Sequence, residues 1–132
     1  MDIQNSYRKI IEIMKNILEE IAARTRERIA KEKTCISVSE LENRIQEVNK
    51  NARQKITFLQ ALQKDGMSYI CEVKKASPSK GLIAPDFPYL AIAKEYEQAG
   101  ASAISCLTEP FYFQGADQYL REISAAVQIP VL

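Results

Sequence analysis

The chain has 132 residues, of which 46% are hydrophobic and 27% charged, and its formal net charge is +1. That is the composition of one ordinary soluble domain with a modest core; the scattered Lys and Arg argue against nucleic acid or an acidic membrane surface as partner, and no run approaches the ~18 apolar residues of a bilayer span. The sequence contains no histidine and three cysteines, which excludes Ser-His-Asp and Cys-His catalysis and most zinc sites and suggests no disulfide framework.

The N-terminus, Met1-Asp-Ile-Gln-Asn-Ser-Tyr-Arg, lacks a basic start followed by an apolar stretch. No signal peptide is therefore expected, and the cytoplasm is the expected location. Ile10, Met14, Ile17 and Ile21 fall at helical spacing, widened by Ile13 and Leu18, and predict an amphipathic helix from about Tyr7 to Lys31. Glu20 with Arg24 and Glu27 with Lys31 are favourable i,i+4 pairs on its polar side. Ser37-Val-Ser-Glu40 is a capping box opening a second helix through Leu41, Ile45 and Val48. Thr57-Phe-Leu-Gln60 is another, opening a short helix that Asp65-Gly66 ends. These helices carry no pattern that suggests chemistry; covering a sheet is their expected role.

After Gly66 the period changes. Ser68 to Lys74 reads as a strand, a helix follows from Tyr89 to Gln98 with Tyr89, Ile92, Ala93 and Tyr96 inward, and Gly100 is its expected C-terminal cap. A second strand is expected over Ala103 to Thr108. A second helix spans Ala116 to Val127 with Leu120, Ile123 and Val127 inward, and a third strand starts near Ile129. Strand and helix alternating in this way predict a parallel α/β sheet. Cys71 and Cys106 fall in apolar strands and read as packing residues.

Side chains alternate along a strand, so Ile70, Glu72 and Lys74 share one face. A carboxylate and an ammonium two residues apart on a mostly apolar strand are costly unless paired or used, which makes Glu72 and Lys74 candidates for chemistry; a plain salt bridge at a strand end is the bland alternative. The following Lys75-Ala-Ser-Pro-Ser-Lys-Gly81 is turn-forming and basic, and suits an anion, although an ordinary solvated turn accounts for Lys75 and Lys80. Neither nucleotide-loop glycine pattern is present. Phe111, Tyr112 and Phe113 crowd aromatic bulk into the loop after the second strand, where packing is the alternative to a ligand pocket. Glu109 reads as a solvated carboxylate.

The segment Cys71-Glu-Val-Lys-Lys-Ala-Ser-Pro-Ser-Lys-Gly81 resembles the first barrel strand and loop of the indole-3-glycerol-phosphate synthase family. Asp86-Phe87, Ile92-Ala-Lys-Glu-Tyr96, Ala99-Gly-Ala101, Ala103-Ile-Ser105, Leu107-Thr-Glu109, Phe113-Gln-Gly115 and Ile129-Pro-Val-Leu132 follow in the family's order. Pro88-Tyr89 stands where many members have Asp-Pro, which bears only on the start of that helix. The resemblance implies the N-terminal part of a (β/α)8 barrel, about β-α-β-α-β, behind a helical N-terminal extension: extension over residues 1–66, incomplete barrel over 67–132. A closed barrel needs eight such units and about 250 residues. The resemblance further implies ring closure, with loss of carbon dioxide and water, of 1-(2-carboxyphenylamino)-1-deoxyribulose 5-phosphate to indole-3-glycerol phosphate in tryptophan biosynthesis. Glu72 would contact sugar hydroxyls and assist dehydration, Lys74 would bind the anionic groups and serve as a further acid, Ser77 would contact the substrate carboxylate, and Phe113 would line the aromatic pocket. The family's principal acid, the lysine of a Lys-Asp-Phe motif, would follow Leu132, so the chain by itself is expected to be inactive. No cofactor or metal is implied. The expected partners are the small phosphorylated aromatic substrate and the remaining barrel, or self-association through open sheet edges. The alternative is a truncated, non-catalytic interaction piece.

Overall fold

A computed structural model describes residues 3–51 and 56–132, which fall into two compact units, residues 1–53 and 54–132. The first unit holds two helices, α1 (Ile3–Cys35) and α2 (Val38–Asn51). The expected stripe residues Ile10, Ile13 and Met14 have side chains outside the described residues. Glu20 and Arg24 pair at 3.7 Å, and Arg28 reaches Glu32 at 3.9 Å. The Ser37 hydroxyl accepts the Glu40 N–H at 3.2 Å, as the capping reading requires. Leu41, Ile45 and Val48, the apolar stripe of α2, are exposed.

The second unit opens with α3 (Phe58–Leu62), whose capping box is complete. The Thr57 hydroxyl accepts from Gln60 N–H, and the Gln60 side chain accepts from Thr57 N–H at 2.8 Å. The helix stops at Gln63, short of the Asp65-Gly66 stop signal. Strand β1 (Ile70–Val73) is shorter at both ends than the expected Ser68–Lys74. It pairs in parallel with β4 (Ala103–Cys106), with Ile70 opposite Ala103 and Val73 opposite Cys106. Between them lie a two-by-two hairpin, β2 (Ala76–Ser77) with β3 (Gly81–Leu82), and helix α4 (Tyr89–Gln98). Helix α5 (Asp117–Ala126) follows β4. The last residues then return beside β4, where Ile104 bridges Val131 in parallel, Ile104 N–H donates to Pro130 C=O, and Leu132 N–H donates to Ile104 C=O. The unit is therefore an open, parallel α/β sheet with helices on it; the described residues form no closed barrel.

The core sits between the sheet and its two long helices. Val73, Ala93, Ile104, Ile123 and Val127 are buried together, with Tyr89, Ile92, Tyr96 and Cys106 packed around them. The inward stripe read for α4 packs as expected, as do Ile123 and Val127 at the end of α5, while Tyr119 rather than the expected Leu120 joins this core. Helix α4 ends in a full Schellman motif: Ala101 N–H bonds Tyr96 C=O, Gly100 N–H bonds Glu97 C=O, and Gly100 has φ +92°. Beyond it the Glu97 carboxylate accepts the N–H groups of Gln128 (2.6 Å) and Ile129 (3.1 Å), tying α4 to the turn after α5. Among the described residues no helix is long and apolar enough to cross a membrane.

Candidate active site

In a parallel sheet of this type the side chains at the C-terminal ends of the strands, and the loops leaving them, face a common rim. Here those loops run from Lys74 to Pro88 and from Leu107 to Ala116. On β1, Val73 points into the helix-covered core while Glu72 is turned the other way, with its side chain 45% exposed. Lys74, just past the strand, bends back and forms an ion pair with the Glu72 carboxylate. The strand face predicted to carry the charges does carry them, and it carries them as a pair.

The first loop is more ordered than a solvated turn. Lys75 C=O accepts both Ile83 N–H (2.9 Å) and Ala84 N–H (3.1 Å), which closes the β2–β3 hairpin. Ala76 and Ser77 are buried, although they leave the strand for a loop. The Ser77 hydroxyl accepts Lys80 N–H at 3.2 Å and lies 3.5 Å from the Ser79 hydroxyl. Ser77 thus holds the turn with an oxygen that would face a ligand only alongside that bond.

The second loop is built around Glu109. Its carboxylate accepts three backbone N–H groups: Phe111 (3.0 Å), Tyr112 (2.7 Å) and Phe113 (3.2 Å). Its own C=O accepts Gly115 N–H at 2.8 Å, so one residue ties both halves of the loop. Gly115 is required by contact, because a Cβ there would lie 2.2 Å from the Leu107 carbonyl oxygen and 2.7 Å from the Thr108 backbone. Glu109 is half-buried and fully engaged, which corrects the reading of a solvated carboxylate. The sequence does carry a signal for it: a Glu followed by Pro110 marks a turn whose backbone N–H groups a carboxylate can cap. Phe113 is half-buried on this loop, and Phe111 is 58% exposed.

The two loops meet. Ala76 N–H donates to Phe113 C=O at 3.2 Å. One backbone bond therefore sets the Ser77 hairpin, which follows the Glu72–Lys74 pair of β1, beside the Phe113 loop that leaves β4. Behind the rim, Cys106 packs on the core, and burial pushes its thiol up. Farther out, Tyr89 donates to Glu122 at 2.6 Å and stacks at a 4.4 Å ring separation on Tyr119.

A family model described as indole-3-glycerol phosphate synthase matches residues 18–132. The chain belongs to the indole-3-glycerol phosphate synthase family. Relatives of that name include one from Lacticaseibacillus paracasei, 50% identical over 116 residues, and one from Endomicrobium trichonymphae, 51% identical over 116 residues. Another, from Ruminiclostridium cellulolyticum, is 49% identical over 117 residues. Each match takes in 88% of this chain and 44% of the relative, so the chain spans under half the length of the curated relatives it matches. The matched region contains every candidate site residue: Glu72, Lys74, Ser77 and Phe113.

Proposed function

We propose that this chain supplies the first two strand ends of an indole-3-glycerol-phosphate synthase active site. The observation that carries the reading is the family match over 18–132 combined with an ion pair, Glu72–Lys74, placed where a βα barrel keeps its chemistry. The substrate is 1-(2-carboxyphenylamino)-1-deoxyribulose 5-phosphate, and the product indole-3-glycerol phosphate. The whole fold is a (β/α)8 barrel with residues 1–66 as helical extension and 67–132 as its opening strands and helices, working in the cytoplasm.

The residue roles follow from their chemistry. Lys74 is a compact cation on a flexible stem, suited to the substrate's anionic groups. Glu72 accepts from sugar hydroxyls and serves dehydration as an acid–base group once the site is closed and dry. Ser77 sits in the basic hairpin and contacts the substrate carboxylate, and Phe113 offers a ring to the substrate's ring. Ring closure also needs an acid at the carbonyl oxygen, which none of these four supplies alone, so turnover requires the remaining barrel strands as partner. A second reading, an interaction piece that associates through its sheet edges, is favoured by the exposure of Tyr69, Ile70, Leu82 and Ile83 around the open sheet.

The test is complementation. The chain is combined with the remaining barrel of a full-length relative, and formation of indole-3-glycerol phosphate is followed. Turnover that disappears in Lys74→Ala and Glu72→Ala is the expected result. A soluble, well-folded complex without turnover would sink the proposal.

A further inference from the structure

The Glu109 carboxylate organises the rim loop from within. Its two oxygens take the N–H groups of three successive residues, and its carbonyl takes the N–H of Gly115. A charged acceptor holding several N–H donors is a strong arrangement. The orientation of the Phe113 peptide is thereby fixed on its N–H side. On its C=O side the same residue accepts Ala76 N–H. Ala76 begins the hairpin that carries Ser77. The chain of bonds thus runs from Glu109 through Phe113 to Ala76 and the hairpin, and Gly115 lets the loop lie close on Leu107 and Thr108.

We infer that Glu109 is a positioning residue that sets the Phe113 loop and the Ser77 hairpin in one register. It acts through those residues and touches no reacting atom. What it aligns rests on the functional reading above: an aromatic wall and a carboxylate-binding turn must face one substrate from two different strands. Without the three N–H bonds the loop keeps its covalent ends but loses the constraint on the Phe113 backbone between its two peptide planes, and the bond from Ala76 to the next carbonyl weakens with it.

Amide hydrogen exchange on this chain tests the coupling, because Ala76 N–H does not touch Glu109. Glu109→Gln keeps the shape and one acceptor oxygen but loses the charge, and Glu109→Ala removes the acceptor. Protection at Ala76 is expected to fall about ten-fold in Glu109→Gln and further in Glu109→Ala, as loss of a hydrogen bond to a charged group implies. Leu132 N–H, which bonds Ile104 in the sheet, should keep its protection. Unchanged protection at Ala76, or an equal fall at Leu132, overturns the inference. If Glu109→Ala does not fold, Glu109→Gln decides. In the complemented barrel, Glu109→Gln should raise KM about ten-fold with kcat within about two-fold, the pattern of lost uniform binding through the substrate-contacting residues it holds in place. A kcat loss with KM unchanged also overturns the inference. Failure of the functional reading looks different: no turnover by any complemented barrel, the parent included, with Ala76 still answering to Glu109.

Discussion

Glu72 and Lys74 form a half-exposed ion pair, with side chains 45% and 30% exposed. Pairs of this exposure contribute about 0–1 kcal/mol, since solvent screens them and two flexible side chains are held. Stability therefore does not explain why two charges interrupt an apolar strand, whereas the role proposed for the pair would. Lys74→Met is expected to cost under ~1 kcal/mol in urea unfolding and to lower complemented turnover by about a hundred-fold or more. A stability loss as large as a core deletion would make the pair structural. A second residue-scale pair gives a pH signature. The hydrogen bond from Tyr89, helped by Gln118, holds the Glu122 carboxyl below the usual carboxylate range. The same bond to Glu122, with burial, lifts the Tyr89 phenol above its ordinary value. The depressed carboxyl adds stability that is present above its unfolded pKa and lost as pH falls through its lower folded value. The raised phenol adds stability that is present below its unfolded pKa and lost as pH rises through its higher folded value. Unfolding midpoints measured against pH should show both limbs. In Glu122→Gln the contribution to the acid limb should vanish and that to the alkaline limb shrink.

At the scale of elements, α4 is the piece most legible in the sequence, since its limits at Tyr89 and Gln98 follow from apolar spacing and the Gly100 stop. Gly100 has φ +92°, where a side chain is strained, although a Cβ would meet open space. Gly100→Ala should therefore cost about 1–2 kcal/mol by chain strain alone, read as a shifted denaturant midpoint at constant m. Gly115→Ala should cost more and act locally, because it drives a Cβ into the backbone of Leu107 and Thr108. The hairpin of Ala76–Ser77 with Gly81–Leu82 was not legible. Two-residue strands give no alternation to read, and their pairing depends on Lys75 C=O receiving two N–H groups from across the loop. Glu109 reads as solvated for a related reason: Pro110 marks a turn after it, but the sequence does not show which of that turn's peptide planes the carboxylate meets. By contrast, the Ser37 cap and the Thr57 capping box depend on near neighbours, and Ile123 and Val127 in α5 follow a helical period, so the sequence displays them directly.

For the second unit as a whole, the deciding fact is how little of its sheet its own helices cover. In the second unit five residues make the buried cluster, while Tyr69, Ile70, Leu82 and Ile83 remain about half exposed. A core that small leaves a narrow margin of stability. The edges add to the problem. Tyr69 and Val73 direct their carbonyls to the β4 side, where Ser102, Ala103 and Leu107 N–H groups meet them. By alternation the backbone groups of Ile70 and Glu72 face the opposite edge, where the described residues place no strand. The Tyr96 hydroxyl reaches the Glu72 carbonyl at 3.4 Å, a weak cover for one acceptor. An edge of this kind, flanked by exposed apolar side chains, is a template for pairing with another strand. The chain by itself should therefore self-associate between micromolar and millimolar concentrations. Sedimentation velocity across that range should show the average mass rising with concentration. Ile70→Lys, which puts a charge on the open face at the edge strand, should return it toward monomer without loss of helix. A chain that stays monomeric throughout and melts cooperatively at a concentration-independent temperature would show that its edges are satisfied from within. The remaining barrel strands would then have to displace that arrangement before β1 could join them.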